Sequence, residues 1–293
     1  MILLNNVSKK FGTGASALSD VTLSVKRGEF VFLVGPTGSG KTTIFRLIIK
    51  DMLPTSGDIV VNSLDVNKLP KGKLSAFRKK IGVIFQDLKL MSDRTVFENV
   101  HLPLDVAGVK QDEAVKIVNE ILSQVGLSDH KDKFPLQLSG GELQRVAIAR
   151  SLVLSPEILL ADEPTGNLDN KTSWEIVKIL SEINNKGTTV IMATHNEEIV
   201  KNLGKRVVRI EKGKVVKDDL SLHKASEAKS PAEGASEVSE TKSLQGAKSS
   251  IEETSEGQEK AKENDKKESP SHKSTHPVET SSEKPQVHGE DKK

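Results

Sequence analysis

The sequence predicts an α/β fold with a mostly parallel core sheet, an N-terminal antiparallel β subdomain, an inserted helical subdomain and a disordered C-terminal tail. Short apolar segments bounded by turn residues alternate with helical patterns, as in a parallel sheet covered by helices. The composition also divides the chain, because the single Trp and all eight Phe precede residue 175. We therefore expect an ordered domain at residues 1–220 and a tail at residues 221–293.

The predicted core strands are apolar along their whole length, which is typical of strands buried on both faces. They are Phe30–Val34, Ile81–Phe85, Ile158–Ala161 and Thr189–Ala193. Predicted helices lie between them, at Thr42–Lys50, Gly141–Leu154 and Thr172–Asn185.

Both ends of the ordered part predict antiparallel pairing. Val21, Leu23 and Val25 alternate with polar residues, which predicts a half-exposed strand paired with residues 2–7. Towards the C-terminus, Lys212-Gly213 separates two short apolar segments and predicts a closing hairpin over residues 205–218.

The middle of the chain has a different pattern. No strand signal occurs between Asp87 and Leu138, and Glu113–Val125 carries apolar residues at helical spacing. We therefore expect a mainly helical subdomain over Leu88–Leu154, inserted into the α/β core.

The last 73 residues contain 12 Lys, 15 Asp or Glu and no aromatic residue. Such a segment cannot bury enough apolar surface to offset its ordering entropy, so we expect disorder. Three roles remain open for it: recruiting a partner, receiving phosphate groups or solvating the protein. His272 and His276 have the spacing of metal ligands on a helix, but no helix is expected there.

Composition excludes several classes of protein. A formal net charge of +2 argues against bulk electrostatic binding of nucleic acid, and the lack of Cys excludes disulfides and thiolate metal sites. The N-terminal apolar run is too short for a signal peptide, and no stretch approaches the roughly 20 apolar residues that span a bilayer. We expect a cytosolic protein that reaches a membrane only through a partner.

Residues 35–42, Gly-Pro-Thr-Gly-Ser-Gly-Lys-Thr, fit the pattern G-x-x-x-x-G-K-[ST] between a strand and a helix. The glycines allow backbone N–H groups to surround a phosphate chain at a helix N-terminus. Lys41 is expected to reach the β- and γ-phosphates, and the Thr42 hydroxyl to bind Mg²⁺. This motif, called the P-loop below, predicts a nucleoside triphosphate site.

Residues following three other strands complete the predicted site. Asp162 and Glu163 end an apolar strand, and neighbouring strand residues face opposite ways, so we expect Asp162 to hold Mg²⁺ and Glu163 to polarise the attacking water. Gln86 and His195 follow two further strands, where ligands bind in open α/β sheets. Gln86 is placed to sense Mg²⁺ or water, and His195 to contact the γ-phosphate.

Leu138-Ser139-Gly140-Gly141-Glu142, called the signature below, opens a predicted helix. Ser139 followed by Glu142 is a capping box. Two glycines in the first turn cost about 1 kcal/mol each, which favours a second surface where phosphate approaches bare backbone. One chain thus has two phosphate sites but only one candidate adenine site. We therefore expect two copies arranged head to tail, each completing the site of the other. Asp169 is either a helix cap or a functional residue.

The order of these motifs resembles the ABC-type ATPases, which are P-loop NTPases, over residues 1–220. The resemblance implies Mg²⁺-dependent hydrolysis of ATP to ADP and phosphate, with Glu163 as general base, His195 as switch histidine and Gln86 coupling the site to a membrane partner. It also implies that Phe11 stacks on adenine and that the signature contacts ATP bound to the other subunit. The implied catalytic residues are Glu163, His195, Lys41 and Gln86; the implied metal ligands are Thr42, Gln86 and Asp162; the implied nucleotide-binding residues are Phe11, Gly35, Pro36, Thr37, Gly38, Ser39, Gly40, Lys41, Thr42, Thr43, Ser139, Gly140, Gly141 and Asp169.

Residues 162–169 resemble the branch that contains FtsE, the lipoprotein-releasing ATPases and the macrolide-export ATPases, and residues 85–100 are most similar to FtsE. This implies a homodimer on the cytoplasmic face of the cell membrane, bound peripherally through an FtsX-like integral membrane protein in cell division and cell-wall hydrolase regulation. Other division proteins are open as further partners, and no nucleic acid is expected. Exposed apolar residues near Leu88, Leu90 and Met91 are expected to form the docking surface.

Two alternatives remain open. One is the ATPase subunit of an ABC exporter or lipoprotein-releasing complex. The other is a soluble ABC ATPase acting on DNA or ribosomes, which usually carries a coiled-coil insertion, a duplicated cassette or a basic module; none is visible in the sequence.

Overall fold

The computed structural model describes residues 2–12 and 14–219. The predicted boundary at residue 220 and the predicted tail, with His272 and His276, lie outside these residues. The elements in chain order are β1 (Ile2–Lys10), β2 (Ser16–Val25), β3 (Phe30–Val34), α1 (Lys41–Ile48), β4 (Ser56–Val61), β5 (Leu64–Asp65), α2 (Lys71–Arg78), β6 (Ile81–Ile84), α3 (Val96–Ala107), α4 (Gln111–Gln124), α5 (Gly140–Leu152), β7 (Ile158–Asp162), α6 (Asn170–Asn185), β8 (Thr189–Thr194), α7 (Glu197–Leu203), β9 (Arg206–Glu211) and β10 (Lys214–Asp218).

The predicted parallel core is confirmed as a six-stranded sheet in the order β10-β9-β3-β8-β7-β6. β3 pairs in parallel with β8 and β9, and β7 pairs in parallel with β8 and β6. The carboxyl ends of β3, β8, β7 and β6 therefore open at one edge of the sheet. The predicted hairpin is also confirmed: β9 and β10 pair antiparallel, and β10 is the edge strand of this sheet.

The continuous apolar pattern of the core strands has a direct structural cause. Along β3, Phe30 and Phe32 pack into the core that contains α5 and α6, whereas Val31 and Leu33 pack into the core that contains α1 and the N-terminal sheet. All five residues of β3 are buried. Because both faces of the strand lie against apolar layers, no position is left for a polar side chain.

The predicted antiparallel subdomain is a four-stranded sheet in the order β2-β1-β4-β5. Ile2 lies opposite Val25, and Leu4 lies opposite Leu23, as the alternating pattern predicts. β4 was not predicted, because Ser56, Gly57 and Asp58 have poor strand propensity and pairing with β1 and β5 makes this segment a strand.

The inserted helical subdomain is confirmed. Within the described residues, α3, α4 and α5 and two short 3₁₀ turns, Ser128–His130 and Pro135–Gln137, separate β6 from β7. α3 begins at a capping box formed by Thr95 and Glu98 and continues through Pro103, a residue that normally interrupts helices. Among the described residues, no helix has both the length and the apolar composition needed to cross a bilayer.

Candidate nucleotide site

The predicted site residues converge at the carboxyl edge of the parallel sheet. The P-loop follows β3, Asp162 ends β7, His195 follows β8 and Gln86 follows β6. A pocket of about 400 Å³ opens there. It is lined by Phe11, Ala17, Thr37, Gly38, Ser39, Gly40, Lys41, Thr42, Thr43, Gln86, Asp162, Glu163, Gly166, Asn167 and His195.

Outside the signature, three predicted nucleotide-binding residues, Gly35, Pro36 and Asp169, do not line this pocket, and three residues that were not predicted do. Gly35 and Pro36 line a separate cavity of about 570 Å³, which shares only His195 with the nucleotide pocket. Ala17, Gly166 and Asn167 line the nucleotide pocket but were not predicted. Asn167 belongs to a motif that the sequence singled out, whereas Ala17 reaches the pocket only through the packing of β2 against the P-loop.

Gly40 shows why the P-loop needs glycine. Its φ of 111° lies in a region that other residues rarely adopt, and a Cβ atom here would lie 2.6 Å from Cδ2 of Leu18 and 2.9 Å from the carbonyl oxygen of Ala17. Gly40 is the N-cap of α1, which has no acidic residue in its first turn. The helix therefore presents backbone N–H groups and positive potential to the pocket without a side-chain cap.

Lys41 is held in place before any ligand arrives. Lys41 is only 6% exposed. Its Nζ donates hydrogen bonds to the carbonyl oxygens of Gly35 and Pro36, at 2.8 and 3.3 Å. The same nitrogen lies 3.3 Å from Oε1 of Glu163. A buried cation held by neutral carbonyl groups and one carboxylate is well suited to receive a phosphate oxygen.

Asp162 and Glu163 both line the nucleotide pocket, and Glu163 lies beyond the end of β7, so the alternation expected of neighbouring strand residues does not apply to this pair. Glu163 has a φ of 48°, so the chain leaves the strand geometry at this residue. Its N–H still donates to the carbonyl oxygen of Ala193, which keeps the turn attached to β8. The two carboxylates nevertheless have different neighbours, as their different predicted roles require.

Asp162 has the environment of a metal ligand. It is buried, and its Oδ1 has no hydrogen-bond partner among the described residues. Burial raises the pKa of this carboxyl, while a hydrogen bond from the Thr42 hydroxyl acts in the opposite direction. An unpartnered buried carboxylate oxygen beside a hydroxyl fits Mg²⁺, which typically binds one or two carboxylates together with substrate phosphates. The described residues contain no group of three or more His, Asp or Glu that could hold a metal ion without a substrate.

Glu163 is shared between two partners. Its side chain is 11% exposed, Oε1 faces Lys41, and Oε2 lies 2.8 Å from Nδ1 of His195. His195 is itself exposed towards the pocket. This arrangement fixes both oxygens of the carboxylate while leaving the histidine accessible to a ligand.

Phe11 lies at the pocket and the residue is 40% exposed, and Nζ of Lys9 lies 5.8 Å from the centroid of its ring. An exposed aromatic face beside a phosphate-binding loop is suited to stacking on a base.

Gln86 is exposed in the loop that leads from β6 to α3. Asn99 of α3 fixes the following part of this loop, since it accepts a hydrogen bond from the N–H of Met91 and donates to its carbonyl oxygen. Leu88 and Leu90 are half-buried against the core, so they are less exposed than expected, and their part in docking stays a prediction. Met91 is 43% exposed and is the most exposed of the three.

The signature residues do not line the nucleotide pocket of their own chain. The capping box is confirmed: Glu142 Oε2 accepts from the N–H and the hydroxyl of Ser139 at 2.7 and 2.6 Å, and Ser139 Oγ accepts from the N–H of Glu142 at 3.4 Å. Gly141 has a packing reason within the chain, because a Cβ there would lie 2.5 Å from Cγ2 of Thr172. At Gly140 the nearest atom would be 3.4 Å away, so close packing does not require glycine there.

The capping interpretation of Asp169 is confirmed. Its carboxylate accepts from the N–H of Thr172 at 3.0 Å and from the Thr172 hydroxyl at 2.6 Å, at the start of α6. Its nucleotide-binding role stays a prediction.

This geometry agrees with the comparisons with known proteins. The family model described as ABC transporter matches residues 18–166, just over half of the chain. The chain belongs to the ABC transporter family. Two curated relatives are named cell division ATP-binding protein FtsE: the Bacillus subtilis protein is 48% identical over 219 residues, and the Mycobacterium tuberculosis protein 47% over 220 residues. Both alignments cover 75% of this chain and 96% of the relative.

A solved structure of another ABC cassette agrees with the fold. MJ0796, a dimer in a post-hydrolysis state bound to ADP and phosphate, is 37% identical with a TM-score of 0.69. The match covers 74% of this chain and 97% of MJ0796. The ABC transporter cassette of this chain therefore accounts for nearly the whole length of its relatives.

Proposed function

We propose that this chain is the ATP-binding and hydrolysing subunit of an FtsEX-like membrane complex, in which ATP-driven closure of a homodimer acts on an FtsX-like integral membrane protein in cell division. The position of Glu163 between Lys41 and His195 supports the hydrolytic part of the proposal. The identity with proteins named FtsE over nearly their whole length supports the division part. In this proposal residues 1–220 form the ATPase domain and residues 221–293 a separate tail.

The P-loop binds the phosphate chain of ATP. Backbone N–H groups at the N-terminus of α1 and the Nζ of Lys41 contact the phosphate oxygens, and Phe11 stacks on the adenine. Mg²⁺, when bound, neutralises charge on these oxygens. Thr42, Asp162 and Gln86 are the residues that would hold the ion.

Glu163 acts as general base once Lys41 has moved from its carboxylate to the γ-phosphate. In the free chain Oε1 of Glu163 faces the ammonium of Lys41 at 3.3 Å, so this oxygen is not available to a water molecule. When the γ-phosphate draws Lys41 away, Glu163 Oε1 becomes free to accept a proton from the attacking water. His195 keeps the carboxylate oriented through its bond to Oε2.

The homodimer places the signature of one copy at the ATP of the other. Ser139 and Gly140 lie outside the pocket of their own chain, which supports a role towards a second copy. ATP favours the closed dimer because its phosphates gain these contacts only in that state, so binding shifts the population and hydrolysis reverses the shift. Met91, on the loop that follows Gln86, is the proposed contact with the FtsX-like protein on the cytoplasmic face of the membrane.

Glu163→Gln tests the hydrolytic part. We expect phosphate release to fall by about 10²- to 10⁴-fold because the general base is lost, while ATP still binds. Light scattering should then detect an ATP-dependent dimer. Glu197→Gln is the matched control, since Glu197 is an exposed glutamate outside the nucleotide pocket. Turnover close to wild type in Glu163→Gln would exclude Glu163 as the base.

Met91→Glu tests the membrane partner. We expect the substitution to reduce co-purification of the FtsX-like protein from detergent extracts, because a charge replaces an apolar contact, and to leave ATP binding unchanged. Val106→Glu is the control: Val106 is 73% exposed and lies at the far end of α3. Equal recovery of the membrane protein with both variants would contradict the docking assignment.

A further inference from the structure

A histidine outside the nucleotide pocket is bonded to the signature. His130 ends the 3₁₀ turn Ser128–His130, and its Nε2 lies 2.7 Å from Oε1 of Glu142. The other oxygen of Glu142 accepts from the hydroxyl and the N–H of Ser139. One carboxylate therefore connects the imidazole of His130 to the serine that the proposed function places at ATP.

The protons in this chain can be assigned. The hydrogen bond from the Ser139 hydroxyl is the main cause that holds the pKa of Glu142 below its ordinary value, so the carboxylate is ionised and accepts at both oxygens. Nε2 of His130 must then carry the hydrogen. Nδ1 of the same ring is buried and has no hydrogen-bond partner within the described part of the chain, so the bond to Glu142 is the one polar contact that orients the ring there.

The backbone around His130 is held by contacts other than the bond to Glu142. Leu127, which precedes its turn, is buried, and the N–H of His130 donates to the carbonyl oxygen of Leu127 at 3.0 Å. The residues that follow bond to the start of α3: the N–H groups of residues 96 and 97 donate to the carbonyl oxygens of residues 133 and 131, both at 2.8 Å. The segment that carries His130 thus connects the N-terminal turn of α3 to Glu142 in the N-terminal turn of α5.

The hydrogen bond between His130 and Glu142 also affects the electrostatics of the signature. A phosphate that approaches Ser139 also approaches the Glu142 carboxylate, and two anions repel each other. The N–H of His130 offsets part of this charge at Oε1 through a hydrogen bond, whereas Lys133 acts on Glu142 only through its charge. Substitutions of His130 and Lys133 can therefore distinguish the orientation of the Glu142 carboxylate from the effect of nearby charge on it.

We propose that His130 is a positioning residue for Ser139: its Nε2–H fixes the Glu142 carboxylate, which holds the backbone of Ser139 in position at the ATP bound by the second copy. This inference rests on the proposed function, because it requires the signature to act across a dimer.

The test uses the full chain carrying Glu163→Gln as parent and adds His130→Ala, His130→Gln, His130→Asn or Lys133→Ala. The first measurement is the ATP concentration that gives half of the dimer by light scattering. The second is ATP affinity in dilute monomer, and thermal unfolding verifies that each variant is folded. We expect His130→Ala to require about tenfold more ATP for dimerisation, since a charge-assisted hydrogen bond is lost, with monomer affinity unchanged.

The two amide variants distinguish the hydrogen bond from packing of the ring. The amide of Gln reaches the position of Nε2 and should restore dimerisation to within about threefold of the parent, whereas Asn places its amide near Nδ1 and should behave like Ala. Lys133→Ala should differ little from the parent.

Several outcomes would overturn the inference. They are unchanged dimerisation in His130→Ala, equal behaviour of the Gln and Asn variants, and an equal loss in Lys133→Ala and His130→Ala. These results would leave the proposed function intact. A parent that forms no dimer with saturating ATP would instead overturn the proposed function, and the inference with it.

Discussion

The N-termini of α1 and α5 were both predicted as phosphate-binding surfaces, yet the structure builds them differently. α1 begins after Gly40, carries no acidic residue in its first turn and faces the pocket with Lys41. α5 begins after Ser139 and is closed by a capping box with Glu142. One helix start is left open to an anion, whereas the other already has a side-chain cap and a negative charge.

This difference indicates how the two surfaces take part in binding. The start of α1 can bind phosphate without rearrangement, because its backbone N–H groups face the pocket and a buried ammonium is already oriented. At α5 the Ser139 hydroxyl donates to Glu142, so contact with a phosphate requires this hydroxyl to change partner. We therefore expect α1 to determine affinity in the monomer and α5 to determine closure of the dimer.

The largest expected effect separates the two helix starts directly. Lys41→Ala should weaken ATP binding to the monomer by about tenfold to a hundredfold, because a hydrogen bond to a charged group contributes roughly 1.5–3 kcal/mol. Ser139→Ala should leave this affinity unchanged but reduce ATP-dependent dimerisation in the Glu163→Gln background. Calorimetry measures the first quantity and light scattering the second. Weaker monomer binding in Ser139→Ala would contradict the division of roles.

A second comparison concerns the glycines. Gly40→Ala should lower the free energy of unfolding by about 1–3 kcal/mol, since alanine rarely adopts its φ of 111° and the new Cβ would contact Leu18. Gly140→Ala should change it by only about 0.5 kcal/mol, because its φ is not in the left-handed region and the nearest atom is 3.4 Å away. Chemical denaturation of both variants measures the difference, and similar losses at the two sites would show that the backbone of α1 has no special requirement.

The smallest effect is a pH dependence at α5. Hydrogen bonds from Ser139, first from its hydroxyl and then from its N–H, lower the pKa of Glu142 in the folded chain. A lowered folded-state pKa stabilises the protein above the unfolded-state pKa, and the contribution is lost as the pH falls through the folded-state value. The melting temperature of wild type should therefore exceed that of Glu142→Gln at neutral pH, and the gap should close in acid. A gap that widens in acid would have the wrong sign.

The sequence predicted well wherever a local pattern carries its own physical reason. The P-loop lies between β3 and α1 as expected, because its glycines and its lysine all lie within one short segment of the sequence. The capping box at Ser139 was also predicted, and the cap at Asp169 was one of two open interpretations, since each involves residues three positions apart. The alternation of Val21, Leu23 and Val25 predicted pairing with β1, because one face of that sheet is buried.

Predictions failed where contacts distant in sequence decide the conformation. β4 is a strand because it pairs with β1 and β5, and Glu163 leaves the strand geometry through its own left-handed φ, which no local pattern indicates. Leu88 and Leu90 were expected to be exposed, but they pack against the core. The bond between His130 and Glu142 spans a loop of irregular structure, so neither residue's periodicity indicates it.

The amino-acid order alone determined the parallel core, the phosphate-binding loop and the identity of most groups that line the pocket, because hydrophobic periodicity and backbone freedom act over a few residues. Tertiary structure decided which polar side chains meet: Lys41 with Glu163, Glu163 with His195, and Glu142 with His130. Ion pairs depend on distances of a few ångströms between side chains far apart in sequence, and only the packed sheet and helices set those distances.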